Sequence, residues 1–185
     1  MKTLAAITLT LICFSALAAQ KSNDAIQKQI KSLKAEKTIY LTNDGSSSKL
    51  MAYAPNFSDA DAKTVGAVAM NFAMAVFYPG PTLTTAPQTI NFTFWPMSKK
   101  PRFAGPTGPW QVMLASGTLD LGEYRYAAKP AENMEYLNFQ VKRSDLEKIA
   151  SASAPVRFRL GSYNLSFTQE QIQLLRNFLA VSDSK

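Results

Sequence analysis

Tyr136 to Val181 reads YLNFQVKRSDLEKIASASAPVRFRLGSYNLSFTQEQIQLLRNFLAV, and its apolar residues switch between the strand period of two and the helix period of about 3.6. Leu137, Phe139 and Val141 alternate with Tyr136, Asn138 and Gln140, as in a half-buried strand. Ser144 offers an N-cap for a short helix carrying Leu146, Ile149 and Ala150. Val156, Phe158 and Leu160 then face one way from a second strand while Arg157 and Arg159 face the other, and Gly161-Ser162 turns the chain into Tyr163 to Phe167. Thr168-Gln169-Glu170-Gln171 has capping-box spacing, and Ile172, Leu175, Phe178 and Leu179 form the stripe of a closing helix. The order is β-α-β-β-α.

Upstream, Thr118 to Tyr126 and Trp110 to Ala115 flank Ser116-Gly117 as a hairpin. Thr89 to Trp95 is the clearest strand, with Ile90, Phe92 and Phe94 on one side and Asn91, Thr93 and Trp95 on the other. Between them, residues 96–109 are rich in proline and glycine and contain Lys99, Lys100 and Arg102, which predicts a long basic surface loop. Residues 65–78 carry both signals: Ala and Met favour helix, whereas Val68, Met70, Phe72, Met74, Val76 and Tyr78 alternate with smaller residues. The second half reads as strand, ended by a Pro-Gly-Pro turn and a loop over 79–88. Thr38 to Thr42 and Lys49 to Ala54 bracket an exposed loop at 43–48 as a further hairpin. Residues 23–36 place Ile26, Ile30 and Leu33 on one helical face and Lys28, Lys31 and Lys34 elsewhere, with Asn23 or Asp24 as N-cap.

Hairpin-linked strands with one helix early and two late predict a single α+β domain over 19–185: an antiparallel sheet with helices packed on one face. Residues 1–18 read as a secretory signal peptide that is removed. Met1-Lys2 is a positive start, Leu4 to Leu17 is uncharged and apolar, and Ala16-Leu17-Ala18 presents small residues where a signal peptidase cuts. The run is shorter than the roughly 20 residues a bilayer core needs, and polar Gln20 to Asp24 follow it. Ile12 is too large to precede a lipidated Cys13. Removal of this segment, whose one charge is Lys2, leaves 167 residues at a formal charge of +6.

The chain of 185 residues has no histidine, and Cys13 is its one cysteine. The exported chain is therefore without imidazole or thiol, which excludes Ser-His-Asp and Cys-His catalysis, His/Cys zinc sites and haem or iron–sulfur ligation through those groups. Carboxylate chemistry, Ser-Lys dyads and oxygen-ligand metal sites survive. Ser46-x-x-Lys49 has dyad spacing but sits in a solvated serine-rich loop. Asp59-Ala60-Asp61 lacks the glycine and distal glutamate of a calcium loop, so Ser58, Asp59 and Asp61 read as a turn or helix start. Asp120, Glu123, Glu132 and Glu135 are the carboxylates open to a glycosidase-type pair, although acidic residues in and beside strands are usually solvated. Asn56, Asn91 and Asn164 begin glycosylation triplets short enough to arise by chance.

The expectation is an exported, non-catalytic binding or accessory domain of the periplasm or envelope, without cofactor or metal. Its ligand face comprises Trp95, Tyr136, Asn138, Arg157 and Arg159, suited to stacking on and hydrogen-bonding a sugar, peptide or anionic group. Lys99, Lys100 and Arg102 are the candidate contacts for a protein, polysaccharide or anionic surface of the envelope, and export argues against nucleic acid. Two alternatives belong to other classes: a carboxylate hydrolase nominating Asp120 and Glu123, and a peripheral protein whose helix over 23–36 lies on an anionic membrane.

Overall fold

In strand after strand every second side chain leaves water, and the computed structural model, which describes residues 20–104 and 108–183, follows that alternation. The described chain runs β1 (Lys21–Ser22), α1 (Asn23–Ser32), β2 (Ile39–Asn43), β3 (Ser47–Tyr53), α2 (Asp59–Val65), β4 (Ala69–Pro79), β5 (Thr82–Leu83) and β6 (Thr89–Met97). It continues with β7 (Pro109–Leu114), β8 (Gly117–Glu123), β9 (Arg125–Lys129), β10 (Met134–Lys142), α3 (Arg143–Ser151), β11 (Val156–Leu160), β12 (Tyr163–Phe167) and α4 (Gln169–Val181). The fold is α+β, and all strand pairs among the described residues are antiparallel.

The strands divide into a six-stranded sheet ordered β2-β3-β4-β6-β10-β9, a four-stranded sheet ordered β12-β11-β7-β8, and the ribbon β1-β5. The predicted closing unit is present, but β10 belongs to the larger sheet while β11 and β12 belong to the smaller. The two sheets meet through aromatic rings. Phe92 lies 4.6 Å from Trp110, Phe72 5.5 Å from Phe167 and Phe94 5.8 Å from Phe158, centroid to centroid. Ile26 and Ile30 of α1, Leu146 and Ile149 of α3, and Ile172, Leu175 and Phe178 of α4 join the same contiguous cluster. The helices thus share the inner side, and no outward residue of β3, β4, β6 or β10 is buried.

Several boundaries differ from expectation for local reasons. The N-cap of α1 is Ser22, whose hydroxyl accepts the Ala25 N–H at 3.2 Å. Asn23 lies inside the helix, and its amide accepts from the Tyr78 hydroxyl and donates to Ser48 Oγ. Ser144 is not a cap: β10 passes directly into α3, and the Arg143 N–H donates to the Gln88 carbonyl at 2.9 Å. Residues 65–78 resolve into the end of α2 and a long β4, separated by Gly66 in the left-handed region at φ +73°. A Cβ at Gly66 would lie 2.8 Å from the guanidinium carbon of the exposed Arg102, whose side chain can move aside, so it is the backbone angle that calls for glycine.

The predicted loops are shorter than their sequences suggest. Ser48 is a buried β3 residue because its hydroxyl donates to the Gly80 carbonyl at 2.7 Å. Within 79–88, Leu83 is buried in the β1-β5 ribbon. Lys99, Lys100 and Arg102 are exposed in the connection from β6 to β7, but the neighbouring Phe103 is buried against Tyr124 and Tyr163. The proposed signal segment 1–18 lies outside the described residues, and among those residues no helix is long and apolar enough to cross a membrane.

Candidate functional site

The register between β6 and β10 brings three of the predicted ligand residues together on the outer face of the larger sheet. Asn91 pairs with Gln140 and Thr93 with Asn138; the pairs Phe94 with Leu137 and Met97 with Met134 set Trp95 opposite Tyr136. The outcome is three successive cross-strand rows: amide with amide, hydroxyl with amide, ring with ring. Thr93 Oγ1 donates to Asn138 Oδ1 at 2.9 Å, and Asn138 Nδ2 donates to the Arg125 carbonyl at 3.2 Å. The middle row is therefore held in place, whereas Asn91 and Gln140 are exposed to solvent.

The ring row extends beyond prediction. Tyr53 lies 5.8 Å from Trp95 and Tyr40 5.7 Å from Tyr53, in tilted and edge-on arrangements. Asn71 is opposite Trp95, and with its amide turned so that the oxygen faces the indole it accepts that N–H at 3.2 Å and donates to Asn56 Oδ1. On the far side the Lys129 ammonium sits 5.7 Å from the centre of the Tyr136 ring and 3.3 Å from Glu132, whose hydrogen bond and charge push the lysine up. Between the rings, β4 contributes outward Ala73 and Ala75, opposite Tyr53 and Met51.

The amide and hydroxyl rows border a cleft of about 520 Å³ lined by Asn91, Thr93, Asn138 and Gln140 with Arg125 and the β8 end Leu121-Gly122-Glu123. The cleft exists because β9 pairs with β10 only at residues 134–138, leaving residues 139–142 without a β9 neighbour. Gly122 donates its N–H to Asp120 Oδ1 at 2.8 Å, which shapes the wall.

Arg157 and Arg159 stand elsewhere. They project from β11 on the outer face of the smaller sheet, opposite Ser166 and Asn164 of β12, and the two sheets turn their outer faces in opposite directions. Arg102 covers Gly66 at the end of α2, and Lys99 and Lys100 lie beside it in solvent. The five ligand candidates therefore form two groups on two faces.

Several of the side chains considered for catalysis have partners of their own. The Ser46 hydroxyl donates to Asp44 at 2.8 Å, and Lys49 instead places its ammonium 5.2 Å from the centre of the Phe77 ring. Ser58 caps α2, accepting from the Asp61 N–H and donating to its carboxylate. Asp120 accepts from Gln111 and Gly122, and Glu132 pairs with Lys129. Glu135, expected in solvent, is 3% exposed and accepts the N–H groups of Arg102 and Phe103 at 2.8 and 2.9 Å. Glu123 is the one carboxylate lining the cleft. No group of three or more metal-ligating side chains occurs among the described residues. The apolar stripe of α1 is likewise committed: Ile26 and Ile30 are buried in the core.

Comparisons with protein-family models, curated proteins and solved structures return no match to this chain. Sequence reasoning passed over Tyr40, Tyr53, Asn71 and Arg125, although Tyr40 and Tyr53 alternate with buried Ile39 and Ala52 and so carried a readable signal.

Proposed function

We propose that the protein is an exported, non-catalytic binding domain of the envelope, and that the outer face of its six-stranded sheet holds a hydroxyl-rich ligand such as a glycan chain. The observation that carries this reading is the run of three rows on β6 and β10, ending in Trp95 and Tyr136 and bordered by the cleft. Amide side chains offer both a donor and an acceptor, as sugar hydroxyls require, and an aromatic ring covers the apolar face of a pyranose. The +6 charge expected after removal of residues 1–18 suits residence among anionic envelope polymers.

The test is retention of the purified chain on envelope polysaccharide and on soluble oligosaccharides of the same composition. Trp95→Ala is expected to weaken retention about tenfold, the scale of one lost aromatic contact, with the far-ultraviolet circular dichroism unchanged. Asn138→Ala is expected to weaken it as well. Equal retention by both variants and the parent would remove the sheet face from the proposal, and accumulation of the full chain in the cytoplasm would remove export.

A further inference from the structure

Arg157 and Arg159 lie two residues apart on the outer face of β11, so their Cα atoms are about 6.7 Å apart and both guanidinium groups leave the same side of the smaller sheet. Neither forms an ion pair among the described residues. Two strands away on β8, the Asp120 carboxylate is occupied by the Gln111 amide at 3.3 Å and the Gly122 N–H at 2.8 Å. Two cations anchored this near each other on one strand, without an ion-pair partner among the described residues, favour a shared anion.

The surroundings are selective. Arg157 is opposite Ser166, Arg159 is opposite Asn164, and Gln111 flanks Arg159 from β7. Met113, Arg157, Asn164 and Ser166 line a depression of about 370 Å³ on this face. A hydroxyl and an amide beside a guanidinium fork supply more donors than the two oxygens of a carboxylate accept, and their number suits the oxygens of a tetrahedral anion. We infer that this face is a second binding site, distinct from the ring-and-amide face, and that it takes a phosphate group. That group is carried either on a soluble ester or on a lipid headgroup.

The experiment measures binding of the full exported chain to inorganic pyrophosphate by calorimetry, and to phosphatidylcholine vesicles with and without phosphatidic acid by co-sedimentation. Three double variants are compared: Arg157→Gln/Arg159→Gln, Arg157→Lys/Arg159→Lys and, as an equal loss of charge elsewhere, Lys99→Gln/Lys100→Gln. Binding in one or both arms, weakened about tenfold or more by the glutamine pair at β11 and much less by the loop pair, supports the site and identifies the carrier. The lysine pair is expected to fall between, because it keeps charge and loses the fork. Absence of binding in both arms overturns the inference. So does equal weakening by the β11 and loop glutamine pairs, which would mean diffuse attraction to a basic chain. Because Trp95 and Asn138 are untouched, retention on polysaccharide reports separately on the first face.

Discussion

Glu135 shows how one side chain can organise a loop that its sequence leaves open. Its carboxylate accepts from two consecutive backbone N–H groups and from Ser98 Oγ at 3.4 Å, and burial and then the Glu135 charge push the nearby Tyr126 hydroxyl up. The connection after β6 is thereby tied to β10, and Phe103 is set between Tyr124 and Tyr163. Glu135→Ala strands the buried Phe103 N–H and the part-buried Arg102 N–H and is expected to cost about 3 kcal/mol, measured as the loss in urea unfolding free energy, with faster tryptic cleavage after Lys99 and Arg102. Asp44 makes a prediction in pH. The Ser47 N–H, then the hydroxyl and N–H of Ser46, hold its carboxyl at about 2, below the ordinary 3.8, so the folded hairpin binds that proton less readily than the unfolded chain. Its contribution to stability is present above about pH 4 and is lost as pH falls through about 2. Asp44→Asn is expected to flatten the dependence of unfolding free energy on pH across that window, and an unchanged slope would contradict it. Glu135 was half legible: it shares the parity of Leu137 and Phe139, which puts it on the inner face, but its partners come from a loop more than thirty residues away.

Helix ends, rather than helix faces, tie these elements together. The last carbonyls of α4 receive Lys21, which donates to Ala180, Val181 and Asp183, and Arg143, which donates to Leu179 and Ser182. Arg176 of α4 in turn donates to Ala150 and Ala152 at the end of α3. Each cation satisfies carbonyls that the helix cannot and opposes its negative pole. Burial pulls Lys21 below the ordinary lysine value, with Asp183 opposing and Arg143 reinforcing that shift. Arg143→Ala removes the guanidinium donors from the Leu179 and Ser182 carbonyls and is expected to lower stability by about 3 kcal/mol, while Arg143→Lys retains part of it. Denaturant unfolding with an unchanged m-value checks both. At this scale the sequence was most legible. Periods of two and 3.6 located β6, β10, β11, β12 and α4, and the Thr168/Gln171 capping box is present with both hydrogen bonds formed. Sheet membership was hidden because hairpin signals are local, whereas the pairing of Phe158 with Val112 joins strands far apart in sequence.

The whole molecule presents two outer sheet faces separated by an aromatic core. Trp95, Tyr136 and Asn138 occupy one and Arg157 and Arg159 the other, so alternation alone identified outward residues without distributing them between faces. Side chains on opposite sides of stacked sheets about 10 Å apart share no contacts, and their effects are expected to add. Trp95→Ala combined with Arg157→Gln/Arg159→Gln is accordingly expected to lose both binding activities by the factors of the separate variants; a departure from additivity would show that the faces communicate. The grip of Lys21 on the final carbonyls of α4 also brings the two ends of the described chain side by side. Gln20 and Asp183 are therefore within reach of a short link. A circular permutant that bridges those residues with a short glycine-serine linker and opens at Gly45, in the exposed turn between β2 and β3, should keep the sheet pairings and unfold in one transition.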